Sequence, residues 1–285
     1  MSHDEWRRIL CPVDFSDYSA AALRTAGNLA ASLAAAVTVL HAQPVDAPAY
    51  FTPSQIQTLK NQLRQSRKAA ERHTADFAGK YLPSSVPRDF RVVEDEPVRA
   101  ILRTFKEGGG NLVVMGTHGR TGLTKIRLGS VMESVLFQLD APLVTVGPEA
   151  KNSPALGVLR RILCAVDYSP ASRRALEQGV HLAEKTGAEI FVVHVITKSE
   201  SAVSLEEERK SLCDWVSPAL RERCSLTEIV RHGNPAEQIV SLAETDRASL
   251  IVMAAEPRNF LGSLFFGTTV ERVIRHSPAP VLSVR

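Results

Sequence analysis

Arg8–Ser16 reads RILCPVDFS and Arg161–Ser169 reads RILCAVDYS, identical at seven of nine positions. In each, a short apolar run breaks at an aspartate followed by an aromatic residue and a serine, as when a buried strand leaves a sheet for a turn. Working outward, the correspondence persists. His41 and His194 follow at the same offset, in VTVLHAQ and IFVVHVI; Pro97 matches Pro235 after a shorter offset; Leu112–Met115 (LVVM) matches Leu250–Met253 (LIVM). Each half closes on a proline-led apolar strand, Pro142–Val146 and Pro280–Val284. The chain therefore reads as two copies of one fold. The copies are residues 1–148 and 158–285, joined by Pro148–Gly157 (PEAKNSPALG), whose prolines, asparagine and glycine mark a linker of about ten residues.

Within the first copy, strands are expected at Ile9–Val13, Val37–His41, Phe90–Val93, Leu112–Met115 and Leu143–Val146. Helices are expected through Ala20–Ala35 with Ser16 as N-cap, over Gln55–Lys80, over Val98–Glu107 and over Ser130–Leu139. The second copy repeats this, with Ser169 before Pro170 as a cap and first-turn pair. Strands alternating with helices imply a parallel sheet covered on both faces, and right-handed crossovers make each copy a doubly wound, five-stranded α/β unit.

Composition narrows the function. The 285 residues divide naturally into two domains, and 44% apolar with 23% charged residues is globular usage. Thirty-four Lys and Arg against 31 Asp and Glu leave a net charge of +3, which gives no nucleic-acid signature. The longest apolar-rich stretch, Leu29–Leu40, is too short for a membrane span of about 18–20 residues. Met1–Glu5 carries acids and no apolar core, so no secretory leader is expected and the chain is placed in the cytosol. Four scattered cysteines, Cys11, Cys164, Cys213 and Cys224, form no C-x-x-C pair, and a metal or disulfide role is not expected for them.

Ligands of open α/β sheets sit beyond the carboxyl ends of the strands. There the first copy carries Val13-Asp14 and the run Gly116–Ser130, GTHGRTGLTKIRLGS. Two residues separate Gly116 from Gly119, and nine separate Gly119 from Gly129. Glycines let backbone approach a ligand, and Gly129-Ser130 opens a helix whose N–H groups and positive end favour a phosphate. Arg120, Lys125 and Arg127 add positive charge. Against this stands a plainer account: Ser130-x-x-Glu133 has the form of a capping box, and two glycines after a strand make a turn. Neither a Walker A loop nor a G-x-G-x-x-G fingerprint is present. Asp14 can accept hydrogen bonds from a ribose hydroxyl or an adenine amine, or can cap the helix starting near Ser16. His41 is expected as a packed, hydrogen-bonded strand residue, and His118 as facing solvent.

The opening strand ending PVDFS, the strand ending in histidine and the G-x-x-G-x9-G-S spacing together resemble the universal stress protein family, in its tandem form, over nearly the whole chain. The resemblance implies a five-stranded parallel sheet and ATP binding where the glycines are intact, with Mg2+ held mainly by the phosphates. Carried across, it places Val13, Asp14 and Ala42 at adenine and ribose, with Pro12 shaping the strand exit. Met115, Gly116, Gly119, Gly129, Ser130 and Val131 would line the ribose–phosphate side. It also implies pairing through the last strands, Leu143–Val146 and Val281–Val284. That pairing serves the two copies internally, and a homodimer of whole chains stays open.

The second copy departs from this pattern. Ala254 and Pro257 stand where Gly116 and Gly119 stand, Ala165 replaces Pro12, and only Gly267-Thr268 survives, with Thr268-x-x-Glu271 as a capping box. Pro257 has no N–H. Arg258–Phe266 (RNFLGSLFF) keeps one positive charge and gains apolar residues, so this copy is expected to bind nucleotide weakly or not at all and to pack its apolar loop against protein. No spaced carboxylate pair or Ser–His–Asp grouping suggests a hydrolytic centre, and at most slow ATP hydrolysis is expected. Two other readings stay open: a nucleotide-independent interaction module, and an ATP-using transferase or ligase. The latter would need a Ser/Gly-rich loop where Asp14–Asp17 stands.

Overall fold

The computed structural model describes residues 6–44, 53–108, 110–119, 128–152, 158–197, 204–260, 263–266 and 268–285; among these, side chains are described for all but 53–64, 152, 257–260, 263–266 and 268. The first copy runs β1 (Arg8–Pro12), α1 (Asp17–Leu33), β2 (Ala36–Ala42), α2 (Pro53–Gly79), β3 (Arg88–Val93), α3 (Pro97–Gly108), β4 (Leu112–Gly116), α4 (Ser130–Gln138) and β5 (Leu143–Val146). The second runs β6 (Arg161–Val166), α5 (Pro170–Thr186), β7 (Glu189–Ile196), α6 (Leu205–Trp215), α7 (Pro218–Arg221), β8 (Leu226–His232), α8 (Pro235–Thr245), β9 (Leu250–Ala254), β10 (Pro257–Phe260), β11 (Ser263–Phe266), α9 (Thr268–His276) and β12 (Val281–Val284).

The main strands form one ten-stranded sheet in the order β3-β2-β1-β4-β5-β12-β9-β6-β7-β8. Each half is thus a parallel five-stranded unit of identical order, and the strand order reverses at β1 and at β6. The one antiparallel step in the sheet is where the halves meet: Val281 lies opposite Thr145, Leu282 opposite Val144 and Ser283 opposite Leu143. Beside this seam the Arg285 guanidinium donates to the carbonyls of Leu136 (2.9 Å) and Phe137, at the carboxyl end of α4. Gly147 is there for space. A Cβ on it would come within 2.5 Å of the Ile274 carbonyl oxygen on α9.

Alternation along the strands splits the core into two layers. Ile9, Cys11, Val37, Val39, Ile162 and Cys164 pack on one face with α1, α2, α5, α6 and α7. Leu10, Leu40, Val113, Leu163 and Ile251 pack on the other with α3, α4, α8 and α9. Because both faces are covered, the strands read as apolar runs. Helix starts follow the expected chemistry. Ser16 caps α1 by accepting from the Ser19 amide at 3.2 Å, and Ser169 caps α5 by accepting from the Ser172 amide at 3.1 Å.

The hairpin β10–β11, pairing Pro257 with Phe266 through Phe260 with Ser263, was not expected from the apolar run there. The proposed packing of that run concerns side chains outside the described ones. The Thr268 capping box likewise turns on a side chain outside the described ones, and Gly267, Arg120, Lys125 and Arg127 lie outside the described residues.

Candidate functional site

The turn after β1 is built around Asp14. Its Oδ1 accepts from the Ser16 amide (3.1 Å), the Ser16 hydroxyl (2.6 Å) and the Ser19 hydroxyl (2.5 Å), while its own amide donates to Ser19 Oγ (2.9 Å). Asp14 therefore does shape the start of α1. Its second oxygen points the other way, toward β4: a Cβ on Gly119 would sit 2.6 Å from Oδ2. A side chain at 119 would thus displace this carboxylate oxygen.

Phe15, next in the turn, holds a left-handed backbone with φ of 66°. That conformation is costly for a bulky residue. It lays the Phe15 ring 4.4 Å from the His41 ring. His41, buried at the end of β2, sets its Nδ1 2.9 Å from the Val13 carbonyl oxygen, in the packed role expected of it.

The β4 exit supplies the opposite wall. Gly116 makes room for α1, since a Cβ there would meet Tyr18 Cβ at 2.6 Å and its backbone carbon at 3.0 Å. Thr117 is fully buried, donating its amide to the Val146 carbonyl at 3.1 Å. Its own carbonyl accepts from the Gly129 amide at 2.8 Å, which fixes the start of α4 against the end of β4. His118 corrects the expectation of a solvent-facing side chain. It is buried, with Nδ1 2.9 Å from Thr117 Oγ1 and its ring 5.1 Å from that of Tyr18.

The start of α4 also differs from the expected capping box. Gly129, not Ser130, is the N-cap, and no side chain caps the helix. Ser130 is the first helical residue, so Glu133 stands one position too far along to reach back. The first-turn amides of Ser130, Val131 and Met132, which an α-helix leaves without internal acceptors, face the open end without a side-chain cap. Such a helix start attracts anions.

These segments enclose a cavity of about 360 Å³ at the point where the strand order reverses. All ten residues singled out from the sequence line it: Pro12, Val13, Asp14 and Ala42 on the β1–β2 side, and Met115, Gly116, Gly119, Gly129, Ser130 and Val131 on the β4–α4 side. Ser19, Pro97, Ile101 and Met132 line it too, and sequence reading missed them. The match of Pro97 to Pro235 was the one available signal, because it set α3 at a repeated position. The volume lies in the usual range for small-molecule sites.

The second half keeps the same architecture with different chemistry. Tyr168 repeats the left-handed backbone, φ 63°, and its ring stacks on His194 at 4.3 Å. His194 Nδ1 lies 2.9 Å from the Val166 carbonyl oxygen, as His41 does from Val13. The polar surround is new. Glu208 of α6 accepts the Tyr168 hydroxyl, and its Oε1 lies 3.6 Å from His194 Nε2. Burial and this hydrogen bond push the Tyr168 hydroxyl well above its ordinary range. Burial also works against the charge on Asp167, but hydrogen bonds from the Ser169 hydroxyl and amide and from Ser172 outweigh it, holding that carboxyl below its usual value. A cavity of about 710 Å³ opens here, larger than its counterpart.

Among the described residues no His/Cys/Asp/Glu grouping could hold a metal ion, the four cysteines are unpaired, and no helix is long and apolar enough to cross a membrane.

Comparison with known proteins agrees with this architecture. A family model described as the universal stress protein family matches residues 5–147 and again 159–285. A universal stress protein of Mycolicibacterium smegmatis is 26% identical over 97% of this chain and 96% of its own length. A universal stress protein of Thermus aquaticus is 31% identical over 45% of this chain and its own full length. The crystal structure of a universal stress protein from Archaeoglobus fulgidus superposes over 98% of both chains with a TM-score of 0.65, at 23% identity.

Proposed function

The chain belongs to the universal stress protein family, and from that premise we propose that it is a cytosolic stress-response protein that holds ATP in its amino-terminal half, residues 1–148. Residues 158–285 form the companion copy, which binds nucleotide weakly or not at all. The observation that carries this reading is convergence. Ten residues from four separated stretches of chain line one cavity, and that cavity includes the uncapped start of α4.

Each residue then has a task. Val13, Ala42 and Met115 offer apolar walls to the base, and Asp14 accepts hydrogen bonds from the ribose hydroxyls or the adenine amine. Gly119 and Gly129 keep backbone within reach of the ligand, and the Ser130, Val131 and Met132 amides donate to phosphate oxygens. Bound ATP would supply a multiply charged group that these amides grip, with Mg2+ carried mainly by the phosphates. Among the described residues of the cavity no side chain is set up as a general base for attack on a phosphate. ATP therefore serves as a conformational ligand, acting through different affinities for two states of the protein.

The test is calorimetric titration of ATP into the full chain and into Gly129→Val. The backbone at 129 (φ −64°, ψ 143°) accommodates valine, but its Cβ would stand 3.0 Å from the Thr117 carbonyl oxygen, at the mouth of the helix. We expect affinity to fall at least tenfold, about 1.4 kcal/mol, with circular dichroism unchanged. Equal uptake by the two proteins would overturn the assignment. Absence of nucleotide after acid release from the purified chain, together with no heat on ATP addition, would favour an interaction module that works without nucleotide.

A further inference from the structure

The carboxyl-terminal cavity is larger than the ATP cavity proposed above and occupies the same place in its half, yet more carboxylates line it. Where β4 is followed by Gly116 and Gly119, β9 is followed by Ala254 and Pro257, and the chain turns directly into the β10–β11 hairpin. Three carboxylates line the cavity, Asp167, Glu208 and Glu256, and no lysine or arginine does so among its described residues. Glu256 is already matched by Arg174 at 2.9 Å. Among the described residues no lysine or arginine pairs with Asp167 or Glu208, and the one ring nitrogen near Glu208 is His194 Nε2 at 3.6 Å. Asp167 takes its hydrogen bonds from neutral serine groups, and Glu208, largely shielded from solvent, takes one from the Tyr168 hydroxyl. Among the described residues of the first cavity the sole carboxylate is Asp14.

A concave, low-dielectric site lined by one sign of charge concentrates ions of the other sign and repels its own. A triphosphate is therefore disfavoured here by charge as well as by the missing backbone donors. Ile239 and Met253 add apolar lining beside the hydroxyls of Ser169, Ser172, Thr197 and Thr269, and the Tyr168 ring forms an aromatic wall braced by His194 and Trp215. Such a wall suits a flat apolar body and stabilises a nearby cation. We propose that this second cavity binds a small organic cation, a protonated amine carried on an aromatic or heteroaromatic body, with Asp167 and Glu208 facing the charge and Tyr168 the ring. The proposal does not depend on ATP binding in the other half.

The test uses three probes that share one ring system and differ in charge: tryptamine, a cation; tryptophol, neutral; and indole-3-acetate, an anion. Each is titrated into the full chain by calorimetry. Tryptamine should bind at least tenfold more tightly than tryptophol, and indole-3-acetate should give no measurable heat. In the double variant Asp167→Asn, Glu208→Gln, which keeps the hydrogen-bond acceptors in place, tryptamine should fall to the level of tryptophol. Asp14→Asn, in the first cavity, should leave tryptamine binding as it was. Equal affinities for the three probes, a reversed order, or sensitivity to Asp14 rather than to Asp167 and Glu208 would each sink the proposal. The charge series on the unaltered protein decides the matter even if the double variant does not fold. Loss of ATP binding in Gly129→Val with tryptamine binding retained would separate the two sites.

Discussion

Ala34 closes α1 in the left-handed conformation, with φ 53° and ψ 37°; Gly187, at the same place in the second copy, closes α5 with φ 71° and ψ 19°. The repeat thus contains its own comparison. A Cβ in this region costs roughly 1–2 kcal/mol, partly offset in a glycine by the greater freedom of its unfolded chain. Ala34→Gly should therefore stabilise the protein by about 0.5–1 kcal/mol, read as a raised midpoint in denaturant unfolding with unchanged slope. Single residues were the least legible feature of the sequence. Of the two candidate roles of Asp14, the structure shows the one in the turn before α1, with the second oxygen directed toward Gly119. His118 gave no sign of its burial, because the contacts that bury it come from Thr117 and from Tyr18, a hundred residues away in sequence. The left-handed Phe15 and Tyr168 were equally hidden, since neither residue type predicts that backbone.

Element by element, the reading fared better, because period and caps are local signals. The helix expected over 98–107 spans Pro97–Gly108, and the strand expected over 90–93 begins two residues earlier, at Arg88. The hairpin β10–β11 escaped because RNFLGSLFF shows no alternation to separate strand from loop. Expecting a capping box at Ser130 misplaced the helix start by one residue, and that one residue decides whether the amides are covered. At the start of α5 the corresponding turn carries a prediction about acid stability. The Asp167 carboxyl is held below its ordinary value in the folded chain, so its ionised form favours folding. This contribution is fully present above the unfolded value of about 3.9 and drains away as pH falls through the folded value. Asp167→Asn should thus lower stability at neutral pH and flatten the loss of stability on acidification below about pH 4, followed by thermal unfolding across a pH series. Parallel acid limbs in the two proteins would contradict it.

For the whole molecule, the repeat in the sequence carried most of the architecture. Two matched sets of strands and helices implied two doubly wound units, and closing strands without a neighbour implied an edge to be covered. That β5 and β12 cover each other, antiparallel and three residues deep, is a fact of the assembled sheet. The larger carboxyl-terminal cavity was not foreseen, because the degenerate glycine pattern spoke only to phosphate and not to space. Since the seam also includes the Arg285 contacts with α4, the halves should hold together without a covalent tether. Inserting a protease site at residues 153–157 and cutting there should yield two fragments that elute together at micromolar concentration. Separation of the fragments under native conditions would show the seam to be too weak for this role.

The junction of β5 with β12 also settles stoichiometry. Two lobes in one polypeptide meet at a high effective concentration that no dilution in the cell can reduce. The partners are always one of each kind, so each lobe can drift in sequence without having to remain a fit match for a copy of itself. Unlike cavities in the two halves of one sheet are what such freedom allows.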